Sequence, residues 1–128
     1  MQFGQGSDRT QSQAIYAKCR HVGINHFDTA HAYTKGLSET WLGEFLKNER
    51  DNVFVSSKVG YKGGSEPENL SKQLKESISR LGQDSVDILY LHRFDPETPL
   101  EKTLSWFAEQ IEKQRIRYIG VSNFAAWQ

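Results

Sequence analysis

The chain has 128 residues, 37% hydrophobic and 25% charged, the balance of an ordinary globular protein, and residues 1–128 read as a single domain. Sixteen Lys and Arg balance sixteen Asp and Glu, so no bulk field recruits nucleic acid or an anionic membrane surface. Cys19 is the only cysteine, no apolar run approaches the roughly 20 residues of a bilayer span, and the start Met1-Gln2-Phe3-Gly4-Gln5-Gly6 shows no secretory pattern, so a cytoplasmic protein without membrane partners is expected.

Short apolar or β-branched runs alternate with stretches of helical period, the pattern of βαβ units. The first predicted helix covers 11–21, with Ala14, Ile15, Ala17, Lys18 and Val22 as its stripe and Gly23 as its stop. A strand at 25–29 follows. The next helix, 38–46, carries Trp41, Leu42, Phe45 and Leu46 on one stripe behind Ser38 as the expected N-cap. Asp51-Asn52 turns the chain into a strand at 53–58. The glycine-rich stretch 60–67 reads as a mobile loop bordering a site. Leu70, Leu74, Ile78 and Leu81 mark a helix over 67–81 that Gly82 ends. The near-continuously apolar run 86–92 is a strand buried on both faces, as in a parallel sheet. A helix at 100–114 leads to the last strand, 118–122.

Asp28, Lys58, His92 and Ser122 each close a predicted strand, spaced 30, 34 and 30 residues apart, about the length of one βα unit and its return. A parallel sheet gathers its carboxyl-terminal ends on one edge, where barrels and open α/β sheets bind ligands. Side chains alternate along a strand. If Lys58 and His92 face inward, so do Ser56, Phe54, Tyr90, Ile88 and Val86. Val53, Val55, Leu89 and Leu91 then face the helices, and Ser57 and Asp87 on that side need hydrogen-bond partners.

Tyr33 lies five residues beyond Asp28 and reaches the same edge. A phenol is a weak acid at neutral pH, and a neighbouring ammonium favours its phenolate, easing release of the proton. A carboxylate keeps that ammonium charged and oriented, and a histidine can hydrogen-bond the carbonyl oxygen being protonated. The set suits a carbonyl attacked by hydride, and the hydride must come from a cofactor. Taken singly, each residue has a plainer role: Asp28 in a turn, Lys58 reaching solvent, His92 at a core edge, Tyr33 in loop packing. Their common position at the ends of successive strands is what points to chemistry. His21, His26 and His31 read as surface or packing residues, and Cys19 as a small buried hydrophobe.

Gly23-Ile24-Asn25-His26-Phe27-Asp28-Thr29-Ala30-His31-Ala32-Tyr33, continued by Glu39, Gly43 and Leu46, resembles the first signature of the aldo-keto reductases. Val55-Ser56-Ser57-Lys58 resembles the family's lysine strand, Leu81 through Asp87 to Leu91-His92 its histidine segment, and Arg117 through Ser122-Asn123-Phe124 the strand that holds the nicotinamide carboxamide. The resemblance implies NADPH-dependent reduction of aldehydes and ketones to alcohols, with a small-molecule carbonyl as substrate. It makes Tyr33 the general acid, Lys58 and Asp28 the pair that eases its proton release, His92 the residue that orients the carbonyl, and Ser122 and Asn123 the carboxamide ligands, with no metal. The implied fold is α/β, a partial (β/α)8 barrel of about four βα units. NADPH lies across the C-terminal face of such barrels, which accounts for the missing GxGxxG fingerprint.

The chain departs from the family in length, since such barrels take about 250 residues. It is expected to start after the first family strand, with Phe3-Gly4 as a loop remnant, and to lack the last three strands and most of the cofactor site. The open sheet edges then imply self-association or loose folding and weak catalysis in isolation. Lys113-Gln114 stands where the family tends to place glycine, at some cost if φ is positive there. The alternative is a non-catalytic NADPH-binding regulatory module, because the resemblance extends to channel-associated β subunits. A metal-dependent hydrolase on the same barrel is a further alternative, but it would want a His-x-His pair where His26-Phe27-Asp28 stands.

Overall fold

The computed structural model describes residues 3–128. Met1 and Gln2, which open the stretch searched for a leader, lie outside the described residues. The elements run α1 (Arg9–His21), β1 (His26–Asp28), α2 (Leu37–Leu46), β2 (Phe54–Val59), α3 (Pro67–Leu81), β3 (Val86–Leu91), α4 (Leu100–Glu112) and β4 (Ile116–Val121), with short 3-10 turns at Tyr33–Gly36 and Arg50–Asn52. The four strands pair in chain order and all in parallel. Among the described residues, no helix is long and apolar enough to cross a membrane.

The core lies between the sheet and its helices. Phe27, Val55, Leu89 and Leu91 from the strands meet Leu42 and Leu46 of α2, Leu70, Leu74 and Leu81 of α3, and Phe107 of α4 in one cluster. Each such leucine contributes about 2 kcal/mol on burial. The strand parity therefore holds. The opposite side of the sheet carries Phe54, Ile88 and Tyr90, which are half-buried. Ser57 and Asp87, on the helix side, both find partners: Ser57 donates to Glu39 at 2.6 Å. Asp87 accepts from Val55 N at 2.8 Å and from Arg117 at 2.9 Å, and pairs with Arg50 at 2.8 Å. Burial would raise the Asp87 pKa, but these donors together hold it below the usual carboxylate range.

Four local expectations are corrected. The buried face of α1 is not the Ile15 stripe; Ile15 is exposed, while Ser12 and Tyr16 are buried and Cys19 and Arg20 are half-buried. That face passes as polar in the sequence because its polar tips are paired inside the fold. Ser12 bonds Ser7, Tyr16 donates to Glu49, and Arg20 meets the same carboxylate at 2.9 Å. Cys19 is accordingly only partly covered, at the margin of the core. Ser38 is not the cap of α2: the chain enters through left-handed Gly36, and Ser38 is buried with its hydroxyl 2.9 Å from Thr29 Oγ1. The glycine-rich loop after β2 is pinned rather than loose. Asn69 donates to the carbonyls of Lys62 and Gly64, Gln73 accepts from Gly60 N, and Asp95 accepts from Ser65 N.

The end of α4 follows the sequence reading. Gln114 has φ 57°, a left-handed position that a side chain occupies at a cost of about 1–2 kcal/mol.

Candidate active site

The site is assembled by the carboxyl-terminal ends of the strands. Register places Asp28 beside Ser56 and Lys58 beside Tyr90, so these four side chains share one face of the sheet. Lys58 is 8% exposed. Its ammonium is ion-paired with Asp28 and donates to the Thr29 carbonyl at 2.8 Å. Asp28 also accepts from Ser56 Oγ at 2.8 Å, and His26 Nε2 lies 3.0 Å from the same hydroxyl. A buried ammonium needs such partners to remain charged, and here a carboxylate and a carbonyl supply them.

Tyr33 follows β1 after a turn in which His31 N donates to the Lys58 carbonyl and Tyr33 N to the Ala30 carbonyl, both at 3.0 Å. Those bonds bring the phenol over the lysine: Lys58 Nζ is 5.0 Å from the Tyr33 ring centroid. Beyond Tyr33 the backbone is left-handed at Thr34 and Lys35, with φ 48° and 56°, which for residues with a Cβ costs about 1–3 kcal/mol each. The Thr34 hydroxyl repays part of this by donating to the Phe3 carbonyl at 2.8 Å and accepting from Ser38 N at 3.0 Å.

His92 follows β3, is 6% exposed, and stands edge-on to Tyr33 with ring centroids 5.8 Å apart. Burial and then the Lys58 charge push its pKa below the ordinary histidine value, against the pull of Asp28. The imidazole is therefore neutral at pH 7. Its Nδ1 is buried without a hydrogen-bond partner among the described residues. Ala32, Tyr33, Tyr61 and His92 line one cavity. The strand-end set thus converges: Asp28, Lys58, Tyr33 and His92 meet at one edge.

Beside them, Ser122 follows β4 and donates from its backbone to the Leu91 carbonyl at 2.9 Å. Asn123, left-handed at φ 58°, donates through Nδ2 to the His92 carbonyl at 2.9 Å and to Ser122 Oγ at 3.0 Å.

A model of the aldo/keto reductase family matches residues 1–128. The chain belongs to the aldo/keto reductase family. It is 32% identical over 97% of its length to yakc, an NADP(+) aldo-keto reductase of Schizosaccharomyces pombe. It is 33% identical over 98% of its length to a probable voltage-gated potassium channel subunit beta of Arabidopsis thaliana. The chain spans 39% and 41% of these two relatives. A Bacillus halodurans aldo-keto reductase in its holo form superposes with a TM-score of 0.86 at 31% identity, covering 93% of this chain and 43% of that one. The four parallel strands and their helices are therefore part of an α/β barrel.

The groups that Ser122 and Asn123 offer fit an amide such as that of a nicotinamide. Ser122 supplies a hydroxyl, and Asn123 commits its Nδ2 to the protein while no bond is made to its Oδ1 among the described residues. A carboxamide, with one acceptor and two donor hydrogens, matches that pair. Parity places Ser56 on the inner face without marking it as a site residue, yet its hydroxyl joins Asp28 and His26. Composition places Tyr61 in a glycine-rich loop, whereas its ring centroid lies 4.9 Å from that of His92. His26 and His31, read as surface or packing residues, are exposed and half-buried respectively, and each carries a side-chain bond: His26 Nε2 to Ser56 Oγ at 3.0 Å and His31 Nε2 to Glu76 at 2.7 Å.

Proposed function

We propose that this chain carries the carbonyl-reducing edge of an NADPH-dependent aldo-keto reductase. The observation that carries the reading is the Lys58–Asp28 ion pair set beneath Tyr33 and beside neutral His92. NADPH, when bound, supplies the hydride. Tyr33 donates its phenolic proton to the carbonyl oxygen as the carbonyl carbon gains hydride, and the Lys58 ammonium stabilises the phenolate left behind. Asp28 keeps Lys58 charged and in place. His92 hydrogen-bonds the same carbonyl oxygen and orients it. Ser122 and Asn123 hold the carboxamide. Solvent returns the proton to Tyr33, and the product is the alcohol.

Small aldehydes and ketones are the substrate class, and the proposed setting is the cytoplasm. Residues 1–128 form one partial barrel domain whose open edges at β1 and β4 drive self-association. The first test is NADPH binding by fluorescence together with turnover of simple aldehydes, comparing the chain with Tyr33→Phe. Under this reading Tyr33→Phe binds NADPH as the parent does and loses turnover by 100-fold or more, on the order expected for a general acid. Measurable turnover in the parent that Tyr33→Phe matches would refute it. The channel-subunit relative supports a second reading, a regulatory module that binds NADPH without reducing carbonyls. Binding with no turnover in the parent would favour that reading.

A further inference from the structure

Glu39 of α2 is a carboxylate with no exposed surface. Such a group is costly to bury unless its partners hold it firmly. It accepts from Ser57 Oγ at 2.6 Å and from Arg80 Nη1 at 3.1 Å. Arg80, in the last turn of α3, also donates from Nη1 to the main-chain carbonyl of His31 at 3.1 Å and from Nη2 to Glu76 at 3.3 Å. Glu76 in turn meets the His31 ring at 2.7 Å. Among the described residues, no side chain of this network bonds the side chains of Tyr33, Lys58 or His92, although His31 N donates to the Lys58 carbonyl. Its ends nevertheless fall beside them: His31 lies between Asp28 and Tyr33, and Ser57 precedes Lys58.

The loop so gripped is the strained one. Left-handed residues with a Cβ persist only where their surroundings over-determine them, and Thr34 and Lys35 directly follow Tyr33. Gly36 comes next, at φ 93°, with its backbone close to the Arg80 guanidinium. A Cβ built there would fall 2.5 Å from Arg80 Cζ.

We infer that the Glu39–Arg80 pair is a strut clamping the loop 29–36 onto α3, so that Arg80 is a positioning residue for Tyr33 over Lys58 and beside His92. The inference rests on the reading of Tyr33, Lys58 and His92 as the reacting edge. A planar fork suits the task, because Arg80 must reach a buried carboxylate, a surface carboxylate and a carbonyl at once.

The test is amide hydrogen exchange on the whole chain, with the ring signals of Tyr33 and His92 recorded by NMR. Arg80→Met alone would strand a buried charge and could unfold the protein, so it is combined with Glu39→Gln, which keeps an acceptor for Ser57. In the double variant the His31 and Tyr33 amides should exchange at least about 10-fold faster while β2 and β3 amides keep their protection. The ring-current signature of the Tyr33–His92 contact should fade with them. Arg80→Lys, which balances the charge without the fork, should lie between. Unchanged loop protection, loss of loop and core protection together, or full restoration by lysine would each overturn the strut. None of these readouts needs cofactor or turnover, so the strut can stand if the chain proves not to be a reductase, and fall if it is one.

Discussion

Lys58 meets a carboxylate, a carbonyl and the faces of Tyr33 and Tyr90, with Nζ 5.0 and 5.8 Å from the two ring centroids. An ammonium so enclosed is a fixed charge that acts on its neighbours through little water. His92 registers that field. Its folded pKa lies below the ordinary 6.5, from burial first and then from Lys58. The sign follows from linkage: above about pH 6.5 the imidazole is neutral in both states, and as pH falls the unfolded chain takes up the proton first. The contribution of neutral His92 to stability is thus present above 6.5 and is lost as pH drops toward the folded value. A proton NMR titration should place its midpoint below 6.5, and Lys58→Met should move that midpoint upward. A midpoint at or above 6.5 in the parent would contradict the enclosed-charge account.

Among the elements, α2 and α3 come into close contact at Gly43. A Cβ there would lie 2.3 Å from the Leu81 carbonyl oxygen, a backbone atom with no freedom to rotate away. Gly43→Ala should therefore push the two helices apart and cost about 1–3 kcal/mol, seen as a lower midpoint in urea unfolding. An unchanged midpoint would show that the helices separate freely. The consequence reaches the site, because α2 carries Glu39 and α3 carries Arg80 and Glu76. Periodicity made α3 legible, since Leu70, Leu74, Ile78 and Leu81 are apolar and three of them are fully buried. It misplaced the face of α1, where the inward residues are Ser12, Tyr16, Cys19 and Arg20. A side chain that buries its stem and pairs its tip does not register as apolar.

As a body, the chain presents a sheet with two edges. β1 is three residues long, whereas β4 runs six and leaves Tyr118 and Val121 more than half exposed and Ile119 39% exposed. The α1 side adds exposed Ile15, Val22 and Ile24, and the α4 side adds Leu104 and Ile111. Unpaired strand backbone flanked by apolar side chains is a template for association. Sizing by light scattering should show concentration-dependent association, and Tyr118→Lys with Val121→Lys should shift it toward monomer, because edge lysines oppose strand pairing. A monodisperse monomer at every concentration would refute the proposed association.

The order of elements, the parallel sheet, its helix-covered face and the edge holding Asp28, Tyr33, Lys58 and His92 all follow from the amino-acid sequence; the opposite face, expected to be buried as well, is only half-buried at Phe54, Ile88 and Tyr90. The physical reason is local: period, parity and strand-end position are properties of neighbouring residues, and parallel pairing carries them to one side of the sheet. Which groups answer the buried polar side chains was decided only in the folded chain. The sequence shows that Ser57 and Asp87 need partners; folding selects Glu39 for one, and Arg50, Arg117 and the Val55 amide for the other. Likewise the left-handed turn after Tyr33 is tied to Phe3, 31 positions away, and the grip of Arg80 on His31 joins residues 49 positions apart. Such pairings depend on how helices sit on a sheet, and that placement is set by packing over the whole core rather than by any one segment.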